Sequence, residues 1–242
     1  MASSSTSSSK NGWVGKVLQP AFYERDTRQV ARDLLGKVLV VSSRGRECAM
    51  RITETEAYGG DDPASHSSRG MTARTRVMFG PPGRAYVYFI YGMYEMLNFV
   101  TEKEGVAGAV LIRAGEPLSG LEAMARRRKL KAGARPADLT NGPGRLCNAL
   151  GIRMSHNGKA LQGPELEVLD DGFTVPADAI LCSPRVGISA ATDRYWRYHI
   201  RGNASVSKAP QNALARVWEP ALDDVAAPEP RSLAPRRRKA GR

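Results

Sequence analysis

Apolar and polar side chains alternate with a period of two through much of this chain, which predicts short strands rather than long helices. From Arg84 the sequence reads Arg-Ala-Tyr-Val-Tyr-Phe-Ile-Tyr-Gly-Met-Tyr-Glu-Met-Leu-Asn-Phe. Tyr86, Tyr88 and Ile90 fall on one face of a strand, and Ala85, Val87 and Phe89 on the other. Gly92 breaks the pattern, so Tyr91-Gly92-Met93 reads as the tight turn of a hairpin. Large apolar groups are unusual at a turn, where Asn, Asp or Ser is the common choice. Either the tip folds under a neighbouring loop, or it is a wedge that enters a partner such as stacked bases.

Other strands follow from the same alternation: Lys37–Ser42, Glu47–Tyr58, Leu97–Thr101, Ala107–Ala114, about Glu165–Leu169, Ala179–Ile188 and Tyr195–Arg201. Between them, three helices are expected. Thr27 is placed to cap one that buries Val30, Ala31, Leu34 and Leu35 and stops at Gly36. Ser119 with Glu122 forms a capping box for a second, running to about Lys131. Asn141-Gly142-Pro143 opens a third, with Leu146, Cys147 and Leu150 on one face and Gly151 as its stop. Its first amides, with Arg145 nearby, suit a phosphate.

In the strand Glu47–Tyr58, Cys48, Met50 and Ile52 form the buried face. Unbroken alternation puts Glu54, Glu56 and Tyr58 on that same face, with Thr53 and Thr55 pointing away. Two carboxylates ending a buried face either pair with basic groups at the sheet rim or serve as a general base, since partial burial raises a carboxyl pKa. Residues 59–83 form a Gly/Pro/Ser-rich loop holding His66, Arg69, Arg74 and Arg76. Its arginines read as a solvated loop or as a phosphate-gripping segment. Asn98 and Arg113 are polar intrusions in apolar runs and need partners or a pocket.

Charge sharpens the choice. The 242 residues carry 36 Lys+Arg against 24 Asp+Glu, a net +12. Lys10 is the only charge in residues 1–12, and the last 22 residues hold six basic and three acidic groups, so +8 belongs to the middle. A basic folded body favours a polyanion, with nucleic acid ahead of a membrane surface. No run of about 18 apolar residues is present, so no membrane span is expected. Three cysteines in apolar contexts read as core residues, and the three histidines form no zinc spacing with them, so neither metal nor cofactor is expected. Residues 1–17, rich in serine, and 209–242, rich in Pro, Ala and Arg, read as disordered tails around one domain, 18–208. The run Arg236–Lys239 has nuclear-import character. The serine-rich start has the composition of an organellar transit peptide but lacks its arginines, and a bacterial chain would stay with the nucleoid.

An ordered set of segments then resembles the alkyladenine (3-methyladenine, methylpurine) DNA glycosylases: Glu54-Thr55-Glu56-Ala57-Tyr58, Ala64-Ser65-His66-Ser67, Met78-Phe79, Tyr86 through Tyr94, Asn98, Leu111-Ile112-Arg113-Ala114-Gly115-Glu116-Pro117 and Asn141-Gly142-Pro143. The resemblance implies an α+β fold, a single mixed domain on a curved antiparallel β-sheet with flanking helices and a protruding β-hairpin at Tyr86–Met93. It implies a monomeric base-excision-repair hydrolase acting on double-stranded DNA that contains damaged purines such as 3-methyladenine, 7-methylguanine or hypoxanthine. By position, Glu56 matches the general base, and Tyr58, His66, Tyr88, Asn98 and Met93 match the surroundings of the flipped base. Tyr91 matches the intercalating tip. Arg113 matches a residue beside the phosphate, with Arg74, Arg76 and Arg145 as further DNA-backbone contacts. No lysine stands in the set as a Schiff-base nucleophile, which implies a glycosylase without lyase activity. The alternative is a lesion-sensing or DNA-bending protein that has lost catalysis.

Overall fold

Short apolar runs punctuated by glycine turns fold here into hairpins laid side by side. The computed structural model describes residues 6–8, 14–43, 45–90, 92–131 and 133–223. Among them, eleven strands join one open sheet: β1 (Thr6–Ser8), β2 (Val14–Val17), β3 (Val38–Ser43), β4 (Arg46–Gly59), β5 (Ala85–Ile90), β6 (Tyr94–Val100), β7 (Gly108–Ser119), β8 (Leu166–Asp170), β9 (Ile180–Ser183), β10 (Arg197–Ile200) and β11 (Arg216–Val217). All pairings are antiparallel. Five short helices flank it: α1 (Pro20–Tyr23), α2 (Thr27–Asp33), α3 (Leu121–Arg127), α4 (Ala137–Thr140) and α5 (Pro143–Leu150). The fold is α+β, as expected.

The 14-residue β4 is the axis. One edge pairs with β7, which leads on to β6 and β5. The other edge pairs first with β3, from Arg46 to Arg51, and then with β10, at Glu54–Glu56. Two wings therefore diverge from β4, one through β3, β8 and β2, the other through β10, β9 and β11. The sheet takes in β2 and β11, on either side of the 18–208 segment.

Helices α2 and α5 cover one face, where Val30, Leu34, Met50, Ile52, Phe99, Ile112 and Leu146 share the main core. Full burial of each such side chain contributes about 1.5–3 kcal/mol. A smaller cluster of Met78, Tyr86, Val100, Ala107 and Ala109 lies on the opposite face. The turn between β5 and β6 is the one expected: Gly92 has φ +68°, a left-handed value that favours glycine. Tyr91, at that tip, lies outside the described residues, as do most of residues 1–13 and the basic run Arg236–Lys239.

Two expected caps differ. Asp26, not Thr27, caps α2, its carboxylate accepting the amides of Arg28 and Gln29. Thr27 is instead turned to Glu102 and Thr101, at 2.7 and 2.8 Å. Ser119 ends β7, and α3 starts after Gly120 without a side-chain cap. The Asn141-Gly142-Pro143 start and Gly151 stop of α5 are as expected.

Candidate active site

The site is built on a break in the regularity of β4. Ile52 faces Gly115, Glu54 faces Ala114 and Thr55 faces Ile112, so Thr53 on β4 and Arg113 on β7 are each one extra, unpaired residue. An extra residue bends a strand and re-aims its side chains. Met50 and Ile52 before the break and Ala57 after it all belong to the main core. Thr55 Oγ1 likewise donates to Ala31 O of α2 at 2.8 Å. Glu54, Glu56 and Tyr58 therefore project to the opposite face, away from Met50 and Ile52. Unbroken alternation, which placed all six together, fails at this bulge.

Both carboxylates are fully buried, at 0% exposure. Glu56 Oε2 accepts the Tyr58 hydroxyl at 2.8 Å and lies 3.3 Å from Arg113 Nη1. Its Oε1 accepts the backbone N–H of Val186 at 2.7 Å. Glu54 Oε1 accepts Nε of both Arg113 and Arg197 at 2.7 Å. Burial alone would raise the pKa of Glu54, but the charges of Arg113 and Arg197 outweigh it and hold the group below the ordinary carboxylate range. Burial, then the charge of Glu56, pushes the Tyr58 phenol well above its ordinary value, so it stays a donor.

Beside this cluster lies a cavity of about 370 Å³, lined among others by Tyr58, His66, Tyr86, Tyr88, Asn98, Arg113 and Val186, with Glu56 itself just behind the lining. Three of these, Tyr58, Arg113 and Val186, are the groups that hold the Glu56 carboxylate. Part of its wall is aromatic. His66 packs edge-on to Tyr88, ring centroids 4.5 Å apart, and its Nδ1 is hydrogen-bonded to the Tyr86 hydroxyl at 3.0 Å. Burial, with the Arg74 charge second, lowers the His66 pKa, so its ring is neutral at pH 7. Asn98 Nδ2 donates to Tyr86 O at 3.1 Å, which fixes the amide in the cavity wall.

Of the expected base-pocket residues, Tyr58, His66, Tyr88 and Asn98 meet here. Met93 does not. It stands 62% exposed on the hairpin turn, and Ile90 and Met96 line the cavity in its place. Met93 sits on the turn, whereas Ile90 ends β5 and Met96 lies within β6.

The arginines separate by burial. Arg74 is exposed, with its guanidinium 5.2 Å from the centre of the Tyr88 ring, and Arg76 is exposed at the start of a 3-10 turn, Arg76–Phe79. Arg145 is exposed on α5, Nη1 donating to Asn141 Oδ1 at 2.8 Å. Arg113 differs: it is buried and committed to two carboxylates.

Several contributors had no sequence signal. The Val186 amide reaches Glu56 from 130 positions away. Arg185, buried, donates Nη2 to Asp62 Oδ1 at 2.9 Å and Nη1 to Ala57 O at 2.8 Å, and stacks 4.6 Å from the Tyr58 ring centre. Arg197 and Ser207 complete the cluster around Glu54. The described residues hold no group of three His, Cys, Asp or Glu side chains arranged for a metal, and their three cysteines are unpaired.

A family model described as methylpurine-DNA glycosylase matches residues 21–204. Similar relatives include provisionally named 3-methyladenine DNA glycosylases. One, from Methanocella arvoryzae, is 48% identical over 197 residues, covering 79% of this chain and 96% of the relative. A second, from Prosthecochloris aestuarii, is 48% identical over 198 residues, covering 81% and 93%. A third, from Anaeromyxobacter dehalogenans, is 48% identical over 203 residues, covering 82% and 89%. Such microbial relatives lend no support to a nuclear address. No helix among the described residues is long and apolar enough to cross a membrane.

Proposed function

The chain belongs to the methylpurine-DNA glycosylase family, and from that premise we propose that it excises alkylated or deaminated purines from duplex DNA by hydrolysis, leaving an abasic site. The observation that carries this reading is the fully buried carboxylate of Glu56, held by three groups that line an aromatic cavity.

A purine in a duplex is reached only by turning it out of the stack, at a cost of a few kcal/mol that is least for a damaged pair. The flipped base enters between Tyr58 on one side and His66 and Tyr88 on the other. Asn98, fixed by its bond to Tyr86 O, stands where the exocyclic amine of guanine would project, favouring adenine-derived lesions. Tyr91, with Met93 beside it, fills the gap left in the stack, and Arg74, Arg76 and Arg145 grip phosphates.

A carboxylate offers about four lone-pair directions. Tyr58 and Val186 take two by hydrogen bonds, while Arg113 Nη1 stands 3.3 Å away as an ion pair, which leaves a direction for a water entering from the cavity. Glu56 takes a proton from that water as its oxygen attacks C1′. The C1′–N bond breaks, and the base leaves with the bonding pair, eased by the positive charge or protonation of the lesion. Arg113 steadies the carboxylate through this step in addition to any phosphate contact. No lysine lines the cavity among the described residues, and on this reading the sugar–phosphate chain is left intact.

The test is single-turnover release of hypoxanthine, and in parallel of 3-methyladenine, from a duplex carrying one lesion, for wild type and Glu56→Gln. Release by wild type, with a loss of roughly 10²–10⁴-fold in the variant and lesion binding retained, is the expected outcome. Equal rates would remove Glu56 from the mechanism. No release of either base by wild type would leave a lesion-binding protein without catalysis.

A further inference from the structure

Glu54 is a fully buried carboxylate that the proposed chemistry leaves without a task. It accepts four hydrogen bonds. Oε1 accepts Arg113 Nε and Arg197 Nε at 2.7 Å and Ser207 Oγ at 2.8 Å, while Oε2 accepts Ser207 N–H at 2.7 Å. A buried ion cluster is seldom the cheapest way to fill a sheet face, because an apolar side chain of similar volume serves as well or better. The cluster is also anchored through the neighbouring strand β9 and through Asn212 beyond the sheet. Arg197 Nη1 donates to Ser183 Oγ at 2.9 Å and Nη2 to Asn212 Oδ1 at 2.8 Å. Asn212 Nδ2 in turn donates to Ser207 O at 3.1 Å. Ser207 and Asn212 lie beyond residue 204, where the family match ends.

We propose that Glu54 is a positioning residue: clamped by Ser207 of the C-terminal segment and by Arg197, it holds Arg113 so that its guanidinium meets Glu56 as an ion pair and not as a two-pronged hydrogen-bonded pair. This rests on the reading of Glu56 as general base. Arg113 is an extra residue on β7, without a strand partner to fix its direction. Glu54, on Nε, fixes it instead, and Nη1 is left at 3.3 Å from Glu56. Released from Glu54, the planar fork would turn to a two-pronged pair with Glu56, the favoured geometry for arginine and carboxylate. That pair would occupy the lone-pair direction the attacking water needs. Glutamine at position 54 does not replace glutamate, because one of its two oxygens becomes an NH₂ donor facing either the Ser207 N–H or the two arginine Nε donors. One or more of the four bonds must then break.

The experiment is single-turnover base release from a one-lesion duplex, with full-length enzyme in excess, for wild type, Glu54→Gln, Ser207→Ala and Glu56→Gln. In enzyme excess, a variant that merely folds less well keeps the rate constant of its folded fraction, whereas mispositioning lowers the rate constant itself. For Glu54→Gln the expected result is a fall on the order of 10²-fold, the scale of a misplaced catalytic group, with lesion-DNA affinity unchanged. Ser207→Ala removes one neutral donor and keeps the backbone amide, so it should fold and slow release by several-fold, which covers the case that Glu54→Gln does not fold. Wild-type rate constants in either folded variant, beside an inactive Glu56→Gln, would overturn the proposal and leave the function standing. Wild type that releases no base would instead overturn the function on which the proposal rests.

Discussion

Tyr58 presents its ring to the cavity and its hydroxyl to Glu56 at 2.8 Å, so the two contributions separate in one substitution. Tyr58→Phe keeps the stacking surface and deletes the donor. A hydrogen bond to a charged group is worth about 1.5–3 kcal/mol, so base release should slow by roughly tenfold to a hundredfold while lesion binding holds. Single-turnover rates and a binding titration on the same oligonucleotide check this, and an unchanged rate would mean that Arg113 and Val186 alone orient the carboxylate. The residues on this side of the site were legible in the sequence because they lie close together in it. Glu56 and Tyr58 are two positions apart, and Tyr86, Tyr88 and Asn98 share one hairpin. Val186 was not legible: a backbone N–H carries no side-chain signature, and it arrives from 130 positions away. The same holds for Arg197 and Ser207, which meet Glu54 across 143 and 153 positions.

Strand β4 illustrates where a period of two misleads. Its extent and the identity of its carboxylates follow from composition, but the face they occupy depends on whether a residue is left over. Thr53 is that residue, and nothing in Ile-Thr-Glu-Thr-Glu distinguishes a bulge from a regular strand. The compensating extra residue, Arg113, lies on another strand altogether. With one bulge on each strand, pairing resumes beyond the break, while Glu54 and Glu56 turn from the core to the cavity face. Thr53 is fully buried, and its Oγ1 has no partner among the described residues. An unpaired buried hydroxyl costs free energy that a methyl group of the same shape does not. Thr53→Val should therefore stabilise the protein by about 1 kcal/mol, read as a higher urea midpoint at unchanged m, with base release unaffected. A lower midpoint would show that the hydroxyl is hydrogen-bonded after all, through water.

At the scale of the molecule, the arginine surplus that points to a DNA partner also loads the interior. Arg113, Arg185 and Arg197 are all buried, each against a buried Asp or Glu, and this arrangement sets how the fold responds to acid. His199 lies in β10, paired with Glu54 across the strands. Burial first, and the Arg197 charge second, bring its pKa down to about 4 from the ordinary 6.5. A group with a depressed pKa holds fewer protons folded than unfolded, so stability rises with pH between the two values and is complete above the higher one. For His199 that window runs from about 4 to 6.5, and each unit is worth about 1.4 kcal/mol, so as pH falls across it the protein should lose up to roughly 3 kcal/mol. Glu54, held below the ordinary carboxylate range, behaves as the usual carboxylate case: its contribution is complete above the unfolded value, near 4, and is lost only as pH falls further. Acid unfolding should thus have two legs. His199→Gln removes the more strongly shifted of two titrating rings and should shrink the first leg, from pH 6.5 to 4, to the part contributed by His66, whose pKa is also lowered, while leaving the second in place. Urea midpoints for both proteins at half-unit steps of pH measure this. A wild-type curve already flat between 6.5 and 4 would mean that the folded protein accommodates a protonated His199 beside Arg197.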